Sequence, residues 1–329
     1  MGKTNLKDIA ELAGVSISTV SRVINDPEQV QTKTREAVYG AMRTLGYQPA
    51  LKTASPGSRK GAVAIIIPTL DNEFIMDFIV AMEKELEGES LYPLLVNTRD
   101  ELSLSAFLKK DTSWVEMTEA AVVLSISIDE QAKRFLEENN IPAATVHERC
   151  SCYYSVLNNN YLGGFDAAEY LWGKGYRNIG VVHWTGIEDS PQGDRLTGFL
   201  TALEKKGISG DGIPRETDLL TLRGGYAATE RLLRRSKPDA LFYTCDIMAI
   251  GGLEYCREKN IRIPEDLAVM GFDDIRMSEA MNLTTMRQFI DAKARAVATH
   301  LLGRRRGEVP GEFPEEITIT PVVVERQTT

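Results

Sequence analysis

The chain has few of the residues that build metal and redox sites, with four cysteines and three histidines among its 329 residues. Cys150 and Cys152 are separated by one residue rather than by the CxxC spacing, and no histidine lies at ligand spacing from them. We therefore expect reduced thiols, as is usual in the cytosol, rather than a redox or metal pair. The sequence predicts neither a metal site nor a cofactor.

Long apolar segments and catalytic motifs are missing as well. No run of 18 apolar residues occurs, which argues against a membrane-spanning helix, and the polar first residues do not resemble a signal peptide. The phosphate-binding GxxxxGK, the zinc-binding HExxH and the nucleophile-bearing GxSxG motifs are all absent. These absences predict a cytoplasmic protein without membrane contact and without enzymatic activity.

The net charge of −9 is unevenly distributed along the chain. Residues 1–60 contain nine Lys or Arg against five Asp or Glu, whereas residues 61–329 contain 29 against 42. A basic N-terminal part on an acidic remainder suits a protein that docks one end on phosphates. Scatter in surface charge would also produce a difference of this size, so the asymmetry supports a nucleic-acid partner without establishing one.

Residues 6–25 predict two short helices around a turn. Apolar residues recur at helical spacing on one face of the first helix, namely Leu6, Ile9, Ala10 and Ala13. Gly14 follows them, where a left-handed conformation costs glycine least. Ser16 is then placed so that its side-chain oxygen can cap the second helix.

The second predicted helix has an apolar inner face and a polar outer face. Its inner face carries Val20, Val23 and Ile24, and its outer face carries Ile17, Ser18, Ser21, Arg22 and Asn25. All the outer residues except Ile17 can hydrogen-bond, as a helix lying in the major groove of DNA requires. An ordinary helical hairpin has the same periodicity, so this pattern alone leaves both interpretations open.

A third helix is predicted from about residue 33 to 45, and residues 49–61 have the composition of a linker. Buried strands are then predicted at Ala62–Ile67, Tyr92–Val96, Ala121–Ile126, Ala143–Val146, Ile179–His183, Ala240–Tyr243 and Leu267–Phe272. Amphipathic helices lie between them, at Met76–Leu86, Gln131–Glu138, Asp166–Leu171 and Gly198–Lys206. This alternation predicts parallel sheets covered on both faces, in numbers that suit two α/β lobes with a ligand cleft between them.

Segments 8–10 (DIA), 13–16 (AGVS) and 19–23 (TVSRV), with Asn25, resemble the signature of the lactose/galactose repressor (LacI/GalR) family. Segments 45–49 (LGYQP), 194–199, 263–274 (IPEDLAVMGFDD) and 283–288 (LTTMRQ) resemble later parts of that family. The resemblance implies an all-α helix-turn-helix head and a two-lobed, periplasmic-binding-protein-like α/β core of two doubly wound parallel sheets. It places the head at residues 1–48, the hinge at 49–61 and the effector-binding and dimerisation core at 62–329. The lobes would share crossing strands near Val156–Asn160, near Leu283–Gln288 and at the C-terminus.

The resemblance also implies which residues of the head bind DNA. The family reads base edges with positions matched here by Ile17, Ser18 and Arg22, and the arginine can offer two parallel donors to guanine. Contacts that position the head, mostly to phosphates, are expected from Ser16, Thr19, Ser21 and Asn25, although Ser16 could act only as a helix cap. Two heads of a homodimer would then match a palindromic double-stranded operator.

In the core, the resemblance implies an effector site between the lobes. Its expected residues are Phe74, Asn160, Arg195, Asp246, Asp273 and Gln288. An arginine and carboxylates suit vicinal hydroxyls, because each can share two hydrogen bonds with a diol, so the expected effector is a sugar or sugar derivative. Asp246 could instead cap the helix that follows it, and Trp184 could either stack on a sugar or simply pack in the core.

Several positions depart from the family pattern. In the hinge, Ala50 stands where asparagine is usual, and Pro56 lies near the position of a leucine that wedges into the minor groove. Because proline opposes helix formation, although it can itself act as a wedge, we expect weaker or differently spaced operator binding than is usual. In the cleft, His147 and Glu148 replace an Asp-Arg pair, and Cys245 replaces an asparagine.

The sequence therefore favours a DNA-binding transcriptional regulator, most simply a repressor released by its effector. A regulator that needs a ligand or a protein co-regulator in order to bind DNA is the alternative within that class. A sugar-binding receptor shares the two-lobed core but has no use for a helix-turn-helix.

Overall fold

The computed structural model of the protein describes residues 6–25, 30–45, 61–308 and 315–329, with the backbone alone at residues 24, 25, 43, 189 and 211. Contacts divide the chain into a first unit, Met1–Arg59, and a second unit, Lys60–Thr329. The hinge predicted over residues 49–61, including Ala50 and Pro56, lies outside the described residues except for Gly61.

The first unit contains three helices within its described part: α1 (Leu6–Ala13), α2 (Ile17–Asn25) and α3 (Thr32–Thr44). Their apolar faces meet in a small core of Ile9, Ala10, Val20, Val23, Val38, Ala41 and Met42. Gly14 has a φ of 67° at the turn, as the glycine position predicted. The helix-turn-helix prediction is confirmed.

The second unit alternates strands and helices. Its strands are β1 (Ala62–Ile67), β2 (Tyr92–Asn97), β3 (Thr118–Leu124), β4 (Ala143–Val146), β5 (Tyr154–Asn158), β6 (Ile179–Trp184), β7 (Arg215–Asp218), β8 (Ala240–Tyr243), β9 (Ala268–Met270), β10 (Thr285–Arg287), β11 (Glu316–Ile319) and β12 (Val322–Val324). Its helices are α4 (Glu73–Leu86), α5 (Leu104–Leu108), α6 (Glu130–Glu138), α7 (Asn160–Gly173), α8 (Gly193–Lys205), α9 (Leu222–Arg235), α10 (Asp246–Glu258), α11 (Arg276–Ala280) and α12 (Ile290–Arg306).

Within the described residues, ten of these strands form two parallel sheets, one for each lobe. The first has the order β11-β5-β4-β3-β1-β2 and the second the order β7-β6-β8-β9. All residues of β1 and β8 are buried, as in continuous apolar strands covered on both faces. The predicted two-lobed α/β core is confirmed.

Residues 315–329 connect to both lobes. Strand β11 pairs with β5 at the edge of the first sheet, and β12 forms an antiparallel pair with β10. Beyond them, Val269 in β9 donates its backbone N–H to the carbonyl of Thr328 at 2.8 Å, and the Thr328 hydroxyl donates to the carbonyl of Val269 at 2.7 Å. The strand predicted near Val156–Asn160 is β5, which lies inside the first sheet between β4 and β11.

Helix α7 begins six residues before its predicted start at Asp166. The Asn159 side chain accepts a hydrogen bond from the backbone of Leu162 at 3.1 Å and caps the helix there. The sequence pattern did not predict this first turn, because it contains Gly163 and Gly164 and glycine has a low helix propensity. Packing explains their place in α7: a Cβ at Gly164 would meet the backbone of Arg195 in α8, and one at Gly163 would meet the side chains of Phe272 and Pro321.

Along the described stretches, none of the helices combines the length and apolar composition that crossing a bilayer demands.

Candidate functional site

Helix α2 presents an accessible polar surface in the first unit. Ile17, Ser18 and Arg22 are exposed, the isoleucine to 49% of its surface. Thr19 and Ser21 are half-buried, and the Asn25 side chain lies outside the described residues.

Ser16 caps α2, as its position in the sequence predicted. Its Oγ accepts a hydrogen bond from the backbone N–H of Thr19 at 3.1 Å. The same hydroxyl lies 2.7 Å from the Ser18 Oγ and 2.8 Å from the Thr19 Oγ1. These three hydroxyls therefore form one hydrogen-bonded group at the start of the helix, where backbone N–H groups favour an anion such as phosphate.

A cavity of about 450 Å³ lies in the second unit, beyond the carboxyl ends of strands from both sheets. Among its lining residues, Thr69 follows β1, Ser125 follows β3, His147 follows β4, Cys245 follows β8 and Asp273 follows β9. Parallel strands bring their carboxyl ends to one edge, which explains why residues so distant in sequence meet here. The volume is that of a small-molecule site.

Arg195, in the first turn of α8, lines this cavity and is 3% exposed. Its Nε donates to the Oδ1 of Asn160 at 2.9 Å, and its Nη1 donates to the carbonyl of Thr244 at 2.9 Å and to the Oδ1 of Asp273 at 3.2 Å. The guanidinium also lies 4.1 Å from the centre of the Phe272 ring. Burial lowers the pKa of Arg195, and the Asp273 carboxylate opposes that shift.

Asp273 and Gln288 form the other half of this network. Gln288 donates from its Nε2 to Asp273, and its Oε1 accepts from Lys293 at 2.9 Å and from Asn158. Asp273 has a φ of 136°, which is rare for a residue other than glycine. Burial raises the pKa of Asp273, while Arg195 and Gln288 counteract the shift. Both side chains line the cavity, so the predicted Arg195, Asp273 and Gln288 are brought together.

Asp246 and Asn160 lie behind the cavity lining rather than in it. The Asp246 carboxylate accepts from the hydroxyls of Ser278 and Thr285, both at 2.6 Å, and from the backbone of Ile275 at 3.2 Å. Burial, together with the nearby Asp273, raises the pKa of Asp246 to about 7. Cys245, and not Asp246, holds the cap position of α10.

Asn160 likewise uses its side chain inside the protein. Its Oδ1 accepts from Arg195, and its Nδ2 donates to the carbonyl of Pro191 at 3.1 Å. Asp246 and Asn160 therefore hold the residues that reach the cavity. Sequence spacing could not separate these two positions from the lining, because the difference depends on which way each side chain points.

Phe74 lines the cavity from the first lobe, next to His147, which the family resemblance placed in the cleft, and near Lys293, which the sequence did not assign to the site. The rings of Phe74 and His147 are 4.7 Å apart. His147 Nδ1 lies 3.1 Å from the Ser125 Oγ, and its Nε2 lies 3.2 Å from the Nζ of Lys293. Burial and the Lys293 charge lower the pKa of His147, and burial lowers that of Lys293.

Lys293 is fully buried although it lies on an amphipathic helix. Its place on the apolar stripe of α12, between Ile290 and Val297, was the sequence signal that could have revealed it. A lysine at such a position has to be paired inside the protein.

All four cysteines lie among the described residues. Cys150, Cys152, Cys245 and Cys256 carry free thiols, and burial raises the pKa of Cys152 and of Cys256 to about 12. Nowhere in the described part of the chain do three His, Cys, Asp or Glu side chains gather as metal ligands.

Comparison with known proteins bears on both units. The profile of bacterial regulatory proteins of the lacI family matches residues 5–50, and that of the periplasmic binding protein-like domain matches residues 168–329. The HTH-type transcriptional regulator DegA of Bacillus subtilis is 27% identical over 340 residues, covering 99% of this chain and 98% of DegA. The chain therefore combines a LacI-family helix-turn-helix domain with a periplasmic-binding-protein-like domain.

Other relatives have the same combination of domains. The HTH-type transcriptional repressor PurR of Escherichia fergusonii is 28% identical, covering 98% of this chain and 96% of PurR. A LacI-family regulator from Silicibacter pomeroyi is 27% identical with a TM-score of 0.73, covering 99% of both chains. The transcriptional regulator CelR in complex with cellobiose is 26% identical with a TM-score of 0.67, covering 99% of this chain and all of that one.

With these two domains, the chain is a DNA-binding transcriptional regulator whose effector site is in the periplasmic-binding-protein-like core. The lac repressor dimer bound to operator, 23% identical with a TM-score of 0.68, has the same fold.

Proposed function

We propose that this chain is a transcriptional repressor whose operator affinity is controlled by a polyhydroxylated small molecule, a sugar or sugar derivative, bound in the cavity of the second unit. The network of Arg195, Asp273 and Gln288 carries this proposal. Its groups are fixed by buried hydrogen bonds before a ligand arrives, and they offer donors and acceptors side by side, as vicinal hydroxyls require. The relative CelR was solved as a cellobiose complex, which supports a sugar as the ligand class.

The head is proposed to bind DNA through α2. Ile17, Ser18 and Arg22 would contact base edges, because they are exposed on one face of the helix. Phosphate contacts are proposed for Ser16, Thr19, Ser21 and Asn25. One helix of this length reads few base pairs, so we propose a homodimer on a palindromic operator.

We propose that three segments of the chain have separate roles. Residues 1–48 form the DNA-binding head, 49–61 the hinge, and 62–329 the effector-binding and dimerisation core. We propose that the protein acts in the cytoplasm and that the cavity binds its ligand without transforming it. The effector would act through a coupling of about 1–3 kcal/mol between cavity and head.

Replacing Arg22 by alanine is expected to weaken binding to the cognate operator by a factor of about 10–100 for each half-site. The change removes two parallel donors from the exposed face of α2 and leaves its buried face untouched. Fluorescence anisotropy at one salt concentration measures binding to the cognate operator and to a scrambled duplex. The ratio of the two affinities gives the sequence specificity of each variant.

The matched control is Lys33→Ala, which removes the same charge from the exposed surface of α3. It should change binding to both duplexes by similar factors, because a surface charge outside the base-reading face attracts any duplex equally. If Arg22→Ala lowered the affinity for both duplexes by the same factor, Arg22 would not be a residue that recognises bases.

The effector proposal is tested on the DNA upstream of the protein's own gene, with and without pools of neutral sugars, sugar acids and amino sugars. We expect saturable, sequence-selective binding that one pool weakens about 5- to 150-fold, as typical allosteric coupling would produce. Binding that appears only when a pool is added would instead show that the effector acts as a co-repressor. Selective binding that no pool changes would contradict a sugar-like effector.

A further inference from the structure

Glu148 is a half-buried carboxylate of the cavity lining that has no partner among the described residues. Glu148 follows β4 and lines the cavity, where it is half-buried. Within the described ranges, neither an ion pair nor a hydrogen bond engages its carboxylate, and burial raises the pKa of Glu148. The neighbouring Arg149 points elsewhere and pairs with Glu316 at 3.0 Å. Glu148 is therefore an acceptor that only the contents of the cavity can satisfy.

The other charges of the lining do not balance Glu148. Glu73 and Asp100 also line the cavity and are exposed. Among the described lining residues Arg195 is the one permanent cation, and its charge is already matched by Asp273 at 3.2 Å. Lys293 is engaged by His147 and Gln288. The cavity consequently has a surplus of negative charge.

A ligand that fills the cavity takes water away from Glu148. A carboxylate that loses its hydration without gaining a cation is strongly disfavoured. A neutral hydroxyl replaces only part of the stabilisation that hydrating water gave to the charge. An ammonium group offers three donors and a compensating charge. The half-buried Trp184 ring, which also lines the cavity, provides a face that attracts cations.

We propose that the effector carries a protonated amine in addition to its hydroxyls, as an amino sugar does, and that Glu148 receives that amine. This inference rests on the proposed function of the cavity as a site for a polyhydroxylated effector. Arg195, Asp273 and Gln288 bind hydroxyls, and Glu148 selects for the amine. A sugar acid or sugar phosphate is disfavoured, because it adds negative charge to a lining that already has a surplus.

The test uses three matched sets of probes on the full-length protein: glucose, galactose and mannose, each as the neutral sugar, the 2-amino sugar and the uronate. Isothermal titration calorimetry at pH 7 and fixed salt measures each affinity. We expect at least one amino sugar to bind about tenfold or more tightly than its neutral counterpart, as a charge-assisted hydrogen bond allows, and the uronates to bind most weakly.

The variant Glu148→Gln keeps a hydrogen-bond acceptor and removes the charge. It should lower the affinity for the amino sugar about tenfold or more and change that for the neutral sugar less than about threefold. Its melting temperature should equal or exceed that of the parent, because a half-buried, unpaired carboxylate is removed, so a folding defect is recognised independently. Glu138→Gln, an exposed carboxylate of α6, serves as the matched control.

The outcomes separate the two proposals. A neutral sugar that binds as tightly as its amino counterpart, or an amine preference that survives in Glu148→Gln, overturns the amine inference and leaves the sugar-like effector intact. Binding of a uronate in preference to both has the same consequence. Failure of all nine probes to bind counts against the polyhydroxylated effector itself, and the amine inference falls with it.

Discussion

Replacing Arg195 by methionine is expected to lower the free energy of unfolding of the second unit by about 3–5 kcal/mol and to abolish effector binding. Methionine fills much of the same volume, but it leaves the Asp273 carboxylate buried without its cation. It also leaves the Oδ1 of Asn160 and the carbonyl of Thr244 without the donors that they now have at 2.9 Å. Urea denaturation measures the first effect and calorimetry with the identified effector measures the second.

Two further variants make this result interpretable. Arg195→Lys keeps the charge and loses the planar fork, so it should recover part of the stability but not the ligand affinity. Arg231→Met removes an arginine that is 43% exposed and pairs with Glu216 and Asp218 on the surface of the second lobe. That change should cost about 1 kcal/mol or less. An Arg195→Met protein as stable as the Arg231→Met protein would show that the buried pair does not have the energetic role assigned here.

Replacing Gly164 by alanine is expected to destabilise the second unit by about 1–3 kcal/mol or more and to weaken effector binding at the same time. A Cβ at Gly164 would lie 1.9 Å from the carbonyl oxygen of Arg195, and one at Gly198 would lie 2.0 Å from that of Tyr161. Helices α7 and α8 can approach this closely only because each has a glycine at the contact. A methyl group at Gly164 therefore pushes on the backbone that carries Arg195.

Gly173→Ala, at the other end of α7, is the control for this prediction. A Cβ at that position meets no atom within 4 Å, so alanine should be neutral or stabilise by up to about 1 kcal/mol through its helix propensity. Thermal unfolding measures the stability of each variant, and the ligand affinity reports whether Arg195 keeps its position. If Gly164→Ala lost stability but kept full affinity, the helix contact would not be what positions the arginine.

The head shows how much local sequence can determine. Ser16 and Gly14 have chemical preferences that involve only two or three neighbouring residues. The serine hydroxyl accepts hydrogen bonds from free N–H groups at the start of a helix, and glycine, which has no Cβ, adopts a left-handed turn at little cost. Their roles could be predicted because no distant residue is needed to create them. The strands β1 and β8 were predictable for a related reason, since continuous apolar runs are buried whatever lies beside them.

The cavity was predictable only in part. Arg195 and Asp273 could be proposed from a resemblance, yet the network also needs Lys293, which arrives from α12 and bonds to residues 5 and 146 positions away. Asp246 was expected in the lining, and its three hydrogen-bond donors come from segments 29–39 residues further on. Such partners are set by how the two sheets and their helices pack, and periodicity does not contain that information.

The path of residues 315–329 has a consequence for the order in which the protein is made. Until β11 leaves the ribosome, β5 is an open edge of the first sheet, although more than 150 residues have been synthesised since it emerged. An open edge can pair with another strand, including one from a neighbouring nascent chain. The core of helices α1, α2 and α3 is built, among the described residues, from side chains of residues 6–45, so these helices meet no such delay. The first unit can therefore complete its fold early in translation, whereas the first lobe remains open to mispairing until its last strand has been synthesised.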